Sequence, residues 1–209
     1  MLTKIYADSP DYRLLTELVD ELRRGAIFIY PTASGYAYCD ALHQRAIEGI
    51  CRLKKIDPKK KALSIACASL SQVSEYCKMN DRAFKFIKDH EVNYTFILPA
   101  SGALPRIFKQ RREVGVRLAQ HPIGRLLAEH LGNPLITSSL PIEDEDEPEY
   151  CTNPELIDER YGNAVYTILD AGDIPLAPST IVDCTEEPFE VLRYGHGRLA
   201  DEEPLLKKD

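Results

Sequence analysis

Short apolar runs alternate along this chain with segments whose apolar residues recur at helical spacing, and that alternation leaves few folds open. The runs at 26–30, 62–67, 94–98, 114–118, 135–137, 164–169, 180–182 and 189–192 predict short strands. Between them, Leu14, Leu15, Leu18, Val19 and Leu22 mark a helix that Ser9-Pro10-Asp11 opens, with Pro10 as its first residue, and Gly25 stops. A second helix over 41–53 carries Ala46, Ile47, Ile50 and Leu53 on one face. Ser69-x-x-Gln72 reads as a capping box for a short helix ending near Cys77, and Asn80 caps another through about Lys88. Pro122 to Leu131, closed by Gly132, and the segment that Asn153-Pro154 open and Gly162 ends complete the helices. Such interleaving predicts an α/β (α+β) fold, a sheet with helices packed on it. The 209 residues suit one domain over 1–199 with a loose tail over 200–209. No apolar run reaches membrane-spanning length, and MLTKIYADSP lacks a signal-peptide core, so a cytoplasmic protein that does not associate with membranes is expected.

The run Ala26 to Tyr30 ends in Pro31-Thr32-Ala33-Ser34-Gly35 rather than in an ordinary turn. A fixed-φ proline, two hydroxyls and a glycine make a poor hydrophobic plug and a good ligand cradle. Other strands end in the same style. Thr137-Ser138-Ser139 closes one, Ser179-Thr180 opens another, and Arg117 and Arg193 each follow an apolar residue. Hydroxyls and guanidiniums supply donors for anions, so these positions suggest a polar cavity rimmed by strand ends, the alternative being strand caps and surface charges. No GxSxG, Walker loop or GxGxxG follows a strand, and no histidine accompanies a conspicuous nucleophile. The residues point to a positioning site for anionic small molecules.

A net charge of −7 argues against a protein that coats nucleic acid indiscriminately, though not against a local basic patch. KKIDPKKK (54–61) and RIFKQRREVGVR (106–117) supply one, for phosphate or RNA, unless they are solvated loops; of the second only Arg117 is assigned to the cavity. EDEDEPE (143–149) lacks the ligand order and glycine turn of a calcium loop and reads as a solvated loop placed where a lid would be. The six cysteines show no metal spacing and read as reduced, buried thiols; no metal site is expected. Tyr30, Tyr36, Tyr38 and Tyr94 either stack on a base or cap the core.

With those residues in view, the chain resembles the YrdC/YciO superfamily of threonylcarbamoyl-adenylate synthases and their relatives. YPTASGYA (30–37), CRLKK (51–55), NYTFIL (93–98), VGVRLAQHP (114–122), PLITSSL (134–140), PSTIVD (178–183) and VLRYG (191–195) carry the resemblance, in order. It implies a YrdC/RibB-like twisted mixed sheet with a large, positively lined concavity. It also implies joining of ATP, bicarbonate and L-threonine (or another small carboxylate) into threonylcarbamoyl-AMP and pyrophosphate, in support of tRNA threonylcarbamoyladenosine modification, with Mg²⁺ on the triphosphate. By matching position, Thr32 and Ser34 would line the amino-acid pocket with Arg117 on the carboxylate. Lys54 would meet ATP phosphates, Thr95, Ser138 and Ser139 would lie near the nucleotide, Ser179 would contact the threonine or carbamate end, and Arg193 would hold phosphate. Lys54, Arg117 and Ser138 are the residues to which the resemblance gives catalytic roles.

The chain departs from the family pattern at four places. Where synthases carry Lys-x-Arg it has Lys54-Lys55-Ile56, and where they carry Ser-x-Asn it has Ser138-Ser139-Leu140. Ala33 replaces a common acidic residue, and Glu91-Val92-Asn93 replaces Pro-Gly-Pro. A missing charged contact to phosphate costs about 2–4 kcal/mol of transition-state binding, so weak or altered activity is expected; the SGYA and NYTFIL wording, with these losses, resembles the YciO branch more than the YrdC branch. Lys55, Lys59, Lys60 or Lys61 would have to replace the lost charge. The rivals are a non-catalytic module binding double-stranded RNA or tRNA, and a nucleotidyl-transfer or hydrolytic enzyme acting on another acyl donor.

Overall fold

The computed structural model describes residues 1–57, 63–106, 108, 112–141, 148–199 and 206. Its first helix, α1 (Tyr12–Arg24), begins two residues later than Pro10 suggests. The Asp11 carboxylate caps it, accepting from the Arg13 and Leu14 N–H groups, and Pro10 lies before the cap. Gly25, at φ 93°, ends it as expected. Leu15, Leu18, Val19 and Leu22 form its buried stripe, each contributing about 1.5–3 kcal/mol by leaving water.

A ten-stranded mixed sheet organises the described residues, together with six α-helices. The strands are β1 (Leu2–Lys4), β2 (Phe28–Thr32), β3 (Gly35–Ala41), β4 (Ser64–Cys67), β5 (Tyr94–Pro99), β6 (Glu113–Leu118), β7 (Leu135–Ser139), β8 (Thr167–Asp170), β9 (Thr180–Asp183) and β10 (Glu190–Arg193). Their order in the sheet is β1-β8-β2-β3-β7-β4-β6-β5-β9-β10. The other helices are α2 (Gln44–Leu53), α3 (Leu70–Tyr76), α4 (Asp81–Asp89), α5 (Pro122–Leu131) and α6 (Pro154–Tyr161).

Two strands were not foreseen. β1 is three residues long, too short for a pattern to show. β3 was hidden because GYAYCDA is buried on both faces and so has no polar alternation. It pairs with β2 as a hairpin in which Thr32 faces Gly35, so the cradle after Tyr30 is the last part of a strand and a two-residue turn. Gly35 has φ 102°, and a Cβ there would stand 2.9 Å from Leu176. In the box before α3, Ser69 accepts from the Gln72 N–H, but Gln72 reaches back to the Ala68 N–H instead of Ser69's own.

Strand alternation divides the core in two. One face carries Ile29, Tyr38, Ile65, Phe96, Val116, Ile136 and Val182 beneath α2, α3, α4 and α6. The opposite face carries Phe28, Tyr30, Ala37, Cys39, Ala66, Leu135 and Leu169, covered by α1 and α5. That cover stops near β4: α5 contacts β2 and β4, and among the described residues no helix lies over β6, β5 and β9 on this face. Residues aligned there by register are Ser64, Thr137 and Gly115 in one row and Arg117, Ala66 and Leu135 in the next. The half of the sheet without a helix is thus floored by small and polar side chains.

All six cysteines are free and buried. No helix among the described residues is long and apolar enough to cross a membrane. Of the tail, Leu206 is described; it bridges to Phe189 and packs on the core. Lys59, Lys60, Lys61, Lys109, Arg111 and most of the acidic run lie outside the described residues.

Candidate functional site

The uncovered half-face forms a hollow of about 1270 Å³, counting its open mouth. Lys54, Thr95, Arg117, Ser138, Ser139, Ser179 and Arg193 line it, joined by Ser64, Thr137, Ile56, Leu140, Pro141 and Ile181. A much smaller chamber adjoins it, with about 30 Å³ open to the centre of a water-sized sphere, lined by Thr32, Ser34, Tyr30, Arg117, Asn93 and His121 among others. Arg117 belongs to both. The nine candidate residues therefore separate into Thr32 and Ser34 in the smaller chamber and Lys54, Thr95, Ser138, Ser139, Ser179 and Arg193 in the larger, with Arg117 between them. The Tyr30 hydroxyl, from the smaller chamber's wall, donates to Thr137 Oγ1 of the larger one at 3.1 Å.

The strongest local feature is a knot of donors around Ser179. Arg117 Nε donates to Thr95 Oγ1 at 2.8 Å and its Nη2 to Ser179 Oγ at 2.7 Å, while Thr95 and Ser179 share a hydrogen bond of 2.8 Å. Arg193 Nη2 donates to the Ser179 carbonyl at 2.8 Å and approaches its hydroxyl at 3.4 Å. Neither arginine has an ion-pair carboxylate among the described residues. Burial pushes the Arg117 guanidinium below its ordinary value; Tyr30 opposes that and the neighbouring Arg193 charge adds to it. A half-buried cation, Arg117, and an exposed one, Arg193, converge on one hydroxyl, and an entering anion offsets their mutual repulsion.

The Ser179 segment is held by a clamp that the sequence did not announce. Thr180 Oγ1 accepts the Gly195 N–H at 3.0 Å and donates to the Gly197 carbonyl at 2.7 Å, and the His196 N–H reaches the Pro178 carbonyl at 2.8 Å. Gly195 lies so close that a Cβ there would meet the Pro178 oxygen at 2.2 Å. Gly195-His196-Gly197, too short to be a phosphate loop, is a brace.

At the far side, Lys54 Nζ donates to the Ser139 carbonyl, tying the end of α2 to the end of β7. Ile56 and Leu140 line the hollow beside this tie; Leu140 is only 4% exposed. In the smaller chamber the Thr32 hydroxyl is already engaged, donating to the Gly35 carbonyl at 2.7 Å and accepting the Ser34 N–H at 3.0 Å. Tyr30 and Tyr94 line that chamber, whereas Tyr36 and Tyr38 are core residues. Arg106 and Arg112 line neither chamber.

Ser64, Gly115, Asn93, His121 and the Thr180 clamp were missed by sequence reasoning. The signal for the first two was a polar or glycine residue at alternate positions inside apolar strands, which needs the register to align. His121 caps α5 through Nδ1, and burial lowers its affinity for a proton. Among the described residues no group of three or more His, Cys, Asp and Glu is placed to hold a metal ion.

A family profile named for Sua5, YciO and YrdC, and described as telomere recombination, matches residues 20–195. The chain is 34% identical to the YciO protein of Escherichia coli over 206 residues, which is 97% of each chain. It is 28% identical to threonylcarbamoyl-AMP synthase of Vibrio vulnificus over 189 residues, covering 87% of this chain and 98% of that one. The crystal structure of E. coli YciO superposes with a TM-score of 0.85 at 32% identity, covering 99% of each chain.

Proposed function

This chain belongs to the Sua5/YciO/YrdC family, and on that premise we propose that it binds an adenine nucleotide in the larger hollow and a small amino acid in the smaller chamber, and joins them slowly as a carbamoyl adenylate. One observation carries the reading: Lys54, Thr95, Ser138, Ser139 and Arg193, expected around the nucleotide, line one chamber, Thr32 and Ser34, expected around the amino acid, line the next, and Arg117 lines both, with Ser179 beside it in the larger.

In the proposed reaction the amine of L-threonine attacks bicarbonate, loses water and becomes a carbamate. A carbamate oxygen then attacks the α-phosphorus of ATP in line, and the bond to the β-phosphate breaks to release pyrophosphate. This is a task of positioning and charge neutralisation, for which no buried catalytic histidine is needed. Arg117, at the junction, meets the carboxylate and carbamate; Arg193 and the Ser179 hydroxyl hold the α-phosphate; Lys54 completes the positive lining. Mg²⁺ enters with the triphosphate, since no carboxylate among the described residues lines the hollow to hold it beforehand. The product would serve modification of tRNA.

The test is incubation of the purified protein with ATP, Mg²⁺, bicarbonate and L-threonine, with pyrophosphate and the acyl adenylate measured. Slow, bicarbonate-dependent release of both is expected. Duplex RNA binding with neither nucleotide binding nor turnover would overturn the reading in favour of a non-catalytic RNA module.

A further inference from the structure

Residues 171–179 carry the chain from the end of β8 to the start of β9, strands that stand second and ninth in the sheet. On the way Leu176 packs on Gly35, where a Cβ would stand 2.9 Å from its Cδ2. Three residues later the same segment enters the donor knot at Ser179. β3, which Gly35 opens, lies five strand positions from β9, about 24 Å along the sheet at ~4.8 Å per strand. Three residues reach at most about 11 Å. The sheet is therefore curled, and the segment is a strap that spans it as a chord, from the turn of the smaller chamber to the hydroxyl of the larger.

Little in the strap absorbs a displacement. Its first half is pinned: Tyr36 Oη donates to the Gly172 carbonyl at 2.8 Å and accepts the Ala171 N–H at 3.1 Å. The Ile174 N–H donates to the Thr152 carbonyl at 3.0 Å, and Asn153 Nδ2 to Asp173 Oδ1 at 2.8 Å. Pro175 and Pro178 flank Leu176-Ala177, fixing φ and holding the residues before them extended. The Thr180 brace holds Ser179 from its other side. The turn at the near end is one hydrogen-bonded unit, since Thr32 Oγ1 bonds both the Gly35 carbonyl and the Ser34 N–H. An occupant of the smaller chamber bears on that unit, and through Gly35 on Leu176.

We propose that this strap couples the two chambers, with Leu176 as a positioning residue: an amino acid that steadies the Thr32–Gly35 turn steadies Ser179 and tightens nucleotide binding in the larger hollow. The proposal rests on the two-ligand reading above and adds to it a cooperativity, in which each ligand raises affinity for the other by the same factor. Arg117, which lines both chambers, offers a direct route that bypasses Leu176, so the two routes are separable by mutation.

The experiment is titration calorimetry on the full chain in bicarbonate-free buffer, with Mg²⁺ and the α,β-methylene analogue of ATP, which cannot release pyrophosphate, with and without saturating L-threonine. Threonine is expected to tighten the analogue by at least about fivefold. Leu176→Ala should cut that gain to under about twofold. Pro178→Gly should do the same, adding slack at an exposed position without removing a buried side chain. Retention of the gain in either variant would pass the coupling to Arg117 and sink the strap. So would the absence of any threonine effect in an unaltered chain that binds the analogue. An analogue that binds under neither condition would remove the nucleotide reading, and the strap with it.

Discussion

Arg117 Nη2 lies 2.7 Å from Ser179 Oγ, a hydrogen bond between residues 62 positions apart that passes over β5. It places a half-buried guanidinium beside a second cation, Arg193, with no ion-pair carboxylate near either among the described residues. Such a pair favours an anionic guest over a stable empty fold. Arg117→Met is therefore expected to weaken nucleotide binding at least tenfold while leaving the melting temperature unchanged or raised. Thermal scans and titrations on the same preparation decide it. A fall of more than about 5 °C, equivalent to about 1–2 kcal/mol, would mean that the arginine is structural instead.

Thr180 does not line the larger hollow but fixes Ser179, which does. Thr180→Val leaves the Gly195 N–H and the Gly197 carbonyl without their partner, at about 1–3 kcal/mol. Nucleotide affinity should fall with it, and Thr180→Ser should restore both. Unchanged affinity in the valine variant, alongside the stability loss, would show that Ser179 and Arg193 do not depend on the brace.

The hairpin turn depends on a backbone that only glycine adopts easily. Gly35→Ala meets φ 102° and a contact of 2.9 Å with Leu176, and should cost about 1–3 kcal/mol in urea unfolding. A shift under about 0.3 kcal/mol would contradict the strain assigned to this turn.

Asp40 gives a pH signature. Its carboxyl is buried, with Oδ2 lacking a partner, and burial pushes its pKa up to about 7, opposed by the Ala41 N–H. A carboxyl whose folded value is raised binds its proton more tightly in the native state. Its contribution is therefore whole below about pH 4 and is lost as pH climbs to about 7. The loss is about 2–4 kcal/mol. Asp40→Asn should remove that slope from a plot of unfolding free energy against pH; persistence of the slope would assign it to other groups.

The fold was legible wherever a helix carried one buried stripe between caps. Pro122 to Leu131 with Gly132 is such a case, and its bounds match the structure. β3 was not legible, since a strand buried on both faces carries no alternation, and β1 was too short to register. The nucleotide-side candidates could be gathered from strand-end hydroxyls and arginines, and family motifs supplied their grouping. What sequence could not supply was what each hydroxyl is bonded to. Thr32, the first cradle residue, is engaged within its own turn, whereas Ser179 is poised by two arginines. That difference depends on register between strands remote in sequence, and it appears only when β6, β5 and β9 are set side by side.

Arg193 closes β10, the outermost strand of the sheet and the last in the chain. During translation, nearly all of the hollow's floor is made before this residue and the Gly195–Gly197 brace emerge. A chain interrupted just short of them would carry Lys54, Thr95 and Arg117 yet lack the second guanidinium and the support for Ser179. Acquisition of ligand affinity should thus lag behind acquisition of secondary structure, because Arg193 and the brace follow the rest of the hollow's lining in sequence.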